Sequence, residues 1–308
     1  MKITKKMSLL LMVTALTLQG CATQSEKKGV TVPNQAATKP ATPVAKPAYV
    51  PAPAPVVEQY ALDRLKQMSD KLVASKAFSY RSKSAIDLQS ETGQFVTFFT
   101  EAEVALQRSN KLYANVSGDL PNIQIYFDGT KASAIDVDNN IYAVSTPLAN
   151  IDEMLNYLMT KARISFPSAD IMYSNPYAVM TKNLTDATVV GDSMVNGVPS
   201  EHFTYREPAI DWEIWIAKGE NALPMRLAMT YKQVESHPGF LVEFTDWKLN
   251  PKLKANTFEF KVPVDAKQIE FGTYLQQKNN PLILRAVHAS CFFWTARNVN
   301  TSWYKKKH

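Results

Sequence analysis

The carboxylates are the side chains with the best chance of doing acid–base chemistry. Asp211 and Glu213 lie two residues apart in a strand-like run, and Asp246 lies in a later run of the same kind. Glycoside hydrolysis needs two carboxyl groups that face each other across a cleft, whereas acids at i and i+2 share one face of a strand. The sequence also has no Gly-x-Ser-x-Gly elbow, no His-Glu-x-x-His motif and no phosphate-binding loop. We therefore expect no catalytic residue and a protein that is not an enzyme.

The residue types that bind metals are scattered. His202, His237, His288 and His308 have no second ligand at metal-binding spacing. The run Asp136-Val137-Asp138-Asn139-Asn140 begins like a calcium loop, but no Gly or Glu follows at the positions where such a loop needs them. A turn between two strands accounts for it better. We expect neither a metal site nor a cofactor.

The chain begins with a segment that predicts export. Lysines at positions 2, 5 and 6 precede an apolar run, Met7–Leu18, that is too short to span a bilayer and is typical of a secretory signal peptide. The run ends in Leu18-Gln19-Gly20-Cys21, which resembles the bacterial lipobox, with the cut after Gly20. We predict lipidation of Cys21. A plain secretory signal with an incidental cysteine is the alternative.

The residue after Cys21 bears on where the anchor would lie. Ala22 stands where an Asp would favour retention in the inner membrane. The resemblance to the lipobox therefore implies anchoring in the outer membrane of a Gram-negative cell, facing the periplasm. Several acyl chains on Cys21 would hold the protein there, since each buried CH₂ contributes about 0.8 kcal/mol. Cys291 is then left without a disulfide partner.

Composition divides the chain into four parts. Residues 1–21 form the signal peptide, and residues 22–57, rich in Pro and Ala, predict a disordered tether that could reach roughly 100 Å. Residues 58–271 form the folded body. The tail, 272–308, carries six Lys or Arg and no acid, and it favours either an extension without settled structure or a segment lying on an anionic membrane.

Net charge excludes nucleic acid as the partner of the folded body. The whole chain has a net charge of +6, but the basic residues of the signal peptide, tether and tail leave 58–271 at −6. The body has no basic helix, no zinc knuckle and no ribonucleoprotein motif.

The body predicts a β-rich fold of two meanders. Apolar and polar residues alternate with a period of two, and turns occur at Asp128-Gly129 and Asn196-Gly197. A helix precedes the first meander, with an apolar stripe of Leu62, Leu65, Met68, Leu72 and Val73. The expected strands are 78–88, 94–107, 111–117, 122–127, 131–137, 140–146, 187–192, 200–205, 211–217, 225–232, 240–248 and 258–260. So many short antiparallel strands favour a sheet that curls strongly or partly closes.

Between the meanders, residues 147–184 change to helical spacing. Ile151, Met154, Leu155 and Leu158 recur at this period after Asn150, a predicted N-cap. A second short apolar run follows the break at 166–167. Helices inserted in this way usually cover one face of the sheet. They indicate either ordinary core packing or an adaptable apolar cover over a lipid-sized cavity, because methionine side chains re-pack easily.

Several motifs resemble a family of predicted periplasmic proteins of unknown function. The segments that carry the resemblance are 173–177 (Tyr-Ser-Asn-Pro-Tyr), 211–216 (Asp-Trp-Glu-Ile-Trp-Ile), 223–227 (Leu-Pro-Met-Arg-Leu) and 244–251 (Phe-Thr-Asp-Trp-Lys-Leu-Asn-Pro). The closing segment 257–263 is similar to the ending of the lipoprotein carriers LolA and LolB. The resemblance implies an α+β, β-rich fold: an unclosed antiparallel β-barrel whose concave face is covered by helices around an apolar pocket.

The resemblance implies a binding protein for lipid or acyl groups. We predict a lining for the pocket from the first meander, the helical insert and the second meander: Phe98, Val104, Leu106, Ile125, Phe127, Met154, Leu158, Met172, Met180, Trp215, Leu227 and Phe244. A sixteen-carbon chain in such a site needs no charged partner. The alternative is an interaction or envelope-sensor module that binds a periplasmic protein through sheet edges or surface aromatics such as Trp212 and Trp247.

Overall fold

A computed structural model describes residues 54–272 except 91 and 165. The predicted signal peptide, the lipidation site Cys21, the tether up to residue 53 and the tail beyond residue 272 lie outside the described residues.

The described elements follow the predicted order of helix, meander, helical insert and meander. The α-helices are α1 Gln59–Ala74, α2 Ile151–Tyr157 and α3 Pro176–Thr181. The strands are β1 Ala77–Gln89, β2 Phe95–Gln107, β3 Lys111–Gly118, β4 Ile123–Phe127, β5 Ala132–Asp136, β6 Ile141–Val144, β7 Asp186–Val195, β8 Val198–Arg206, β9 Ile210–Ala217, β10 Pro224–Tyr231, β11 Gly239–Leu249 and β12 Lys267–Gln268. A π-helical turn, Leu158–Ala162, and two 3₁₀ turns, Ala169–Met172 and Ala255–Phe258, complete the set.

Within the described part of the chain, the twelve strands form one sheet. Its order is β12-β6-β5-β4-β3-β2-β1-β11-β10-β9-β8-β7. Neighbours pair antiparallel, except that β12 pairs parallel with β6. The pairing of β1 with β11 joins the two meanders. Since β12 and β7 form the two edges, the described sheet does not close, and the predicted unclosed antiparallel fold is confirmed.

Alternation along the strands gives the sheet a buried inner face and a wetter outer face. In β9, Trp212, Ile214 and Ile216 are buried, whereas Asp211, Glu213 and Trp215 are partly exposed. One continuous apolar cluster contains inner-face residues from β5 through β8 in the order of the sheet. Because directly opposed side chains on neighbouring strands lie about 5 Å apart, the inner face forms one unbroken apolar surface that the helical elements can cover.

Helix α1 packs on the inner face beside the second meander. Leu65, Met68 and Leu72 are fully buried, as the stripe predicts, but Val73 is 42% exposed and does not belong to it. The Tyr205 hydroxyl donates to the Ala61 carbonyl at 2.8 Å. The buried Arg64 side chain forms an ion pair with Glu201 at 2.6 Å.

The remaining helical elements close the inner face; we call residues 151–181 the cover. The predicted N-cap is confirmed, since the Glu153 amide donates to Asn150 Oδ1 at 2.9 Å. The Glu153 carboxylate in turn accepts from the Ala149 amide at 2.6 Å, and so satisfies a second amide beside the helix start. The π-helical turn ends at Arg163 with a left-handed φ of 57°, which stops the helix before the predicted break.

The predicted strand 258–260 is wrong. A 3₁₀ turn, Ala255–Phe258, occupies its first part, and the segment lies on the outer face. There the Phe260 ring contacts Tyr126 at 5.6 Å and Tyr142 at 5.5 Å between centroids. These ring contacts fix the segment without a strand partner.

Two residues that the sequence assigns to the tether are placed beside the sheet. Val57 forms a parallel bridge with Ala187 of β7, and the Ala187 amide donates to the Val56 carbonyl at 2.9 Å. The described part of the chain thus begins at the β7 edge. None of the helices among the described residues is both long and apolar enough to cross a bilayer.

Candidate functional site

The inner face under the cover brings together most of the predicted lining. Ten of the twelve side chains are at most 3% exposed and belong to one apolar cluster. These ten are Val104, Leu106, Ile125, Phe127, Met154, Leu158, Met172, Met180, Leu227 and Phe244. Phe98 is half-buried and packs against the same cluster. Whether these side chains contact a ligand stays a prediction.

Strand register places these residues in rows. In the first meander, Leu106 of β2 stands opposite Leu112 of β3, which stands opposite Phe127 of β4. The next row runs from Val104 through Ala114 to Ile125 in the same way. Directly opposed side chains in a sheet lie about 5 Å apart, so each row forms a continuous apolar wall across three strands.

The second meander supplies the other wall. Leu227 of β10 stands between Ile214 of β9 and Val242 of β11, and all three are buried. Phe244 of β11 stands opposite Ser82 of β1. Met154, Met172 and Met180 of the cover belong to the same cluster as these walls. The site is therefore bounded by aliphatic, aromatic and thioether groups.

Trp215 does not belong to this site. It alternates with Ile214 and Ile216 along β9 and therefore lies on the outer face. Its ring stacks on His202, with centroids 3.9 Å apart and 9° between the planes, and the Arg226 guanidinium carbon lies 5.1 Å from its centroid. Trp215 differs from the other predicted residues because it lies on the opposite face of the sheet. The period-two pattern of β9 already indicates this.

The surface aromatics proposed for a protein partner are also placed differently. Trp212 is 1% exposed, stacks on Tyr205 at 4.0 Å and donates through Nε1 to Glu207 at 2.9 Å, so its placement on the surface is wrong. Trp247 is partly buried and donates to the Pro224 carbonyl at 3.0 Å.

The predicted lining did not include Arg108, a cation at the edge of the inner face. It directly follows β2 and continues the inward phase of Val104 and Leu106. Its Nη1 donates to the Met172 carbonyl at 2.9 Å, and its guanidinium carbon lies 5.7 Å from the centroid of the buried Phe78 ring. This alternation could have identified Arg108 as a cation at an apolar site.

Hydrogen bonds tie the cover to the rest of the fold at several points. The Ile151 amide donates to the Ser109 carbonyl at 3.4 Å, at the start of α2. The Tyr177 amide donates to Ser69 Oγ of α1 at 3.0 Å. Within the cover, the Ser174 amide donates to Asp152 Oδ1 at 2.8 Å, which joins α2 to the segment before α3.

Burial changes the proton affinity of groups around the site. Burial lowers the pKa of the Arg108 guanidinium, and the charge of Asp152 raises it in part. Burial raises the pKa of Tyr80 and of Tyr205 well above the ordinary value, and Tyr80 is 3% exposed. Neither phenol ionises near neutral pH, so the site keeps its apolar character there.

The acids weighed for catalysis lie on the outer face with basic partners. Asp211 accepts from Arg206 at 3.1 Å and from Lys232 at 2.7 Å. Glu213 lies 2.7 Å from His202 Nε2. Asp246 borders an outer-face cavity of about 500 Å³, where its carboxylate lies 3.9 Å from Arg81.

Other acidic side chains accept hydrogen bonds that stabilise turns. Asp136 accepts from the Asn139 amide at 3.0 Å and from its side chain at 2.6 Å, as a turn between β5 and β6 requires. Asp138 accepts from the Asn122 side chain at 2.7 Å. The described residues contain no group of three His, Cys, Asp or Glu side chains that could hold a metal ion.

Comparison with known proteins identifies a family. The family model described as "Predicted periplasmic protein (DUF2092)" matches residues 61–272, which is more than half of the chain and nearly all of the predicted body. The predicted resemblance to a family of periplasmic proteins is thereby confirmed. No curated protein matches the sequence.

Several solved structures are similar at low identity. An uncharacterized conserved protein from Thermus thermophilus has 12% identity and a TM-score of 0.39, over 69% of this chain and 98% of its own. Lipoprotein LppX from Mycobacterium tuberculosis has 13% identity and a TM-score of 0.40, over 64% and 99%. A putative outer membrane lipoprotein-sorting protein domain from Vibrio parahaemolyticus has 9% identity and a TM-score of 0.32, over 65% and 97%. Since these TM-scores lie below 0.5, what this chain binds must be inferred from its own side chains.

Proposed function

The chain belongs to the DUF2092 family of predicted periplasmic proteins, and from that premise we propose that it binds an acyl chain or another apolar ligand between the inner face and the cover. The observation that carries this proposal is the convergence of ten apolar side chains from two meanders and the cover in one buried cluster. Three of the four side chains that the cover contributes to these ten are methionines, and thioethers adapt to irregular ligands better than branched side chains do.

The hydrophobic effect would drive binding. Each Å² of hydrocarbon removed from water contributes roughly 25 cal/mol before the costs of ordering are subtracted. The side chains that now contact each other would have to separate to admit the chain. The cover consists of short segments interrupted at Arg163 and again before Pro176, and such segments shift more readily than one long helix.

We also propose a location for the protein in the cell envelope. A lipidated Cys21 would anchor it in the outer membrane, and the tether would let the body stand clear of the bilayer. An apolar site near a membrane has acyl chains within reach. We assign the protein no catalytic step, because the paired acids Asp211 and Glu213 have basic partners on the outer face, away from the inner site.

Native mass spectrometry tests the proposal. The full chain is expressed in a Gram-negative host, purified gently and weighed before and after lipid extraction. We expect a non-covalent acyl species that extraction removes. Covalent acyl mass on Cys21 would survive extraction and would be lost in Cys21→Ser, which separates the anchor from the ligand.

A pair of variants locates the ligand. Met172→Trp adds bulk at a fully buried position of the cover, whereas Met194→Trp adds the same bulk at a position that is 60% exposed. The co-purifying species should be lost in the first variant and kept in the second. A folded wild-type chain that carries no lipid and takes up no added palmitate would rule the proposal out.

A second candidate, docking of a periplasmic protein, is favoured by one outer-face feature. Phe99 of β2 is 62% exposed and Leu241 of β11 is 40% exposed, and both stand opposite Ala85 of β1. Together they form an exposed apolar patch on the two strands that flank β1. A pull-down in which Phe99→Ser loses a partner that Met194→Ser retains would favour docking on this patch.

A further inference from the structure

Arg108 lies where the sheet and the cover meet. Its side chain points the same way as Val104 and Leu106, toward the apolar cluster, and its Nη1 reaches the Met172 carbonyl of the cover at 2.9 Å. Phe78, whose ring it faces at 5.7 Å, is fully buried. A charged group has therefore been placed at the border of the site proposed for the acyl chain.

Two of its nitrogens are buried without a matching acceptor. Nε and Nη2 are inaccessible to water, and no described residue accepts a hydrogen bond from either. Burying donors of a charged group without acceptors is costly. Asp152 is the acid whose charge acts on Arg108, but its two carboxylate oxygens accept from the Ser174 amide and hydroxyl.

The unmatched pair has a defined geometry. Nε and one terminal nitrogen form a side of the guanidinium, which donates two parallel hydrogen bonds to a carboxylate or phosphate. Burial lowers the pKa of Arg108, but an arginine stays charged at neutral pH because its ordinary pKa lies so far above it. Two buried donors of a charged group, at the edge of an apolar cluster, could bind the polar end of an amphipathic anion.

We propose that Arg108 binds the oxyanion head group of the acyl ligand, a carboxylate or a phosphate, through Nε and Nη2. This inference rests on the proposed function, because it needs an acyl chain in the inner site. It narrows the ligand class from any apolar molecule to anionic lipids such as fatty acids and lipid phosphates.

Ligands with the same chain length but different head groups test this inference separately from the proposed function. The full chain carrying Cys21→Ser is loaded with a neutral naphthylamine dye, and three ligands with sixteen-carbon chains compete for it: palmitate, a lysophosphatidic acid and hexadecanol. We expect at least one of the anions to bind roughly tenfold or more tightly than the alcohol, since charged hydrogen bonds are the strong ones. Comparing the two anions distinguishes the carboxylate source from the phosphate source.

Three variants test the residue. In Arg108→Gln, neither anion should bind more tightly than hexadecanol binds to the same variant. Arg108→Lys should keep the preference for the anion only in part, because lysine cannot donate two parallel hydrogen bonds as a guanidinium does. Arg81→Gln is the matched control, since the Arg81 side chain is 64% exposed and pairs with Glu103 on the outer face. The melting temperature of each variant, measured first, identifies any that has failed to fold.

Each outcome has one meaning. A preference for an anion that Arg108→Gln abolishes supports the inference. Equal binding of all three ligands, or a preference that survives Arg108→Gln, overturns it and leaves the proposed function intact. If none of the three displaces the dye from the folded wild-type chain, the inference and the proposed function both fail.

Discussion

The two helical layers over the inner face, α1 and the cover, differ in the hydrogen-bond partners of the arginine found at each layer. Arg64 of α1 is 8% exposed and meets Glu201 at 2.6 Å, and its Nη2 donates to the Ala217 carbonyl at 2.9 Å. At the cover, Arg108 donates to Met172 and keeps two buried nitrogens without acceptors among the described residues. Both layers pack apolar side chains on the same sheet.

The difference separates structural support from a binding site. A buried cation with its own acid completes the folded protein without any ligand. A buried cation with unused donors is a cost that a matching anion would remove. On this account α1 fixes the second meander permanently, and the cover closes over the part of the inner face that receives the ligand.

The largest expected effect is at α1. Among the described residues, Arg64→Leu leaves the Glu201 carboxylate with the Tyr60 hydroxyl alone, which donates to it at 2.5 Å. We expect the free energy of unfolding to fall by about 3–5 kcal/mol, measured by urea denaturation. Lys66→Ala on the exposed side of α1 serves as the control and should cost less than about 1 kcal/mol, since Lys66 forms a surface pair with Asp70. Equal losses would contradict the distinction.

A smaller effect is expected in the cover. Met172→Leu keeps the volume of a fully buried side chain but loses its flexibility. The free energy of unfolding should change by less than about 1.5 kcal/mol, while binding of palmitate should weaken several-fold. Leu65→Met in α1 is the matched exchange and should leave palmitate binding as it is. If Met172→Leu and Leu65→Met weakened palmitate binding equally, the ligand would not lie specifically under the cover.

Alkaline pH gives a further test of α1. Burial raises the pKa of Tyr205 above its ordinary value of 10.0, so the folded protein holds this proton more tightly than the unfolded chain. Its contribution is fully present below pH 10 and is lost as the pH rises beyond it. Tyr205→Phe should lower stability at pH 7 by about 1 kcal/mol, through loss of the bond to Ala61, and should make the alkaline decline shallower. Melting curves between pH 7 and pH 11 would show this.

The smallest effect on stability is expected at Arg108. Arg108→Leu removes one hydrogen bond to Met172 together with two buried donors that lack acceptors. We expect the ligand-free protein to change by less than about 1 kcal/mol, or to gain stability, because an apolar group can replace a poorly matched buried charge at no cost. A loss as large as that of Arg64→Leu would mean that Arg108 is structural.

Local pattern was enough to predict most of the fold. Alternation in β9 gave its buried face, and Asn150 with Glu153 gave the start of α2. It failed at 258–260, where Phe-Glu-Phe alternates like a strand. The rings of Phe258 and Phe260 instead contact Lys111, Tyr126 and Tyr142, residues far away in the sequence.

The candidate site, too, could be predicted only where local pattern decides the placement of a side chain. Residues such as Ile125 and Phe127 could be assigned to the inner face by period alone, and the face of Trp215 could have been read in the same way. Arg108 is different. Its phase is visible in the sequence, but the missing acceptors depend on Met172 and Asp152, which only the folded chain brings near it.

Hydrogen exchange with and without palmitate or hexadecanol tests the central claim most directly, because it compares the two layers in one protein. The account predicts that either bound chain slows exchange of amides in the cover, residues 151–181, and leaves those of α1 unchanged. Protection confined to the outer face, or equal protection of both layers, would contradict an acyl site between the inner face and the cover.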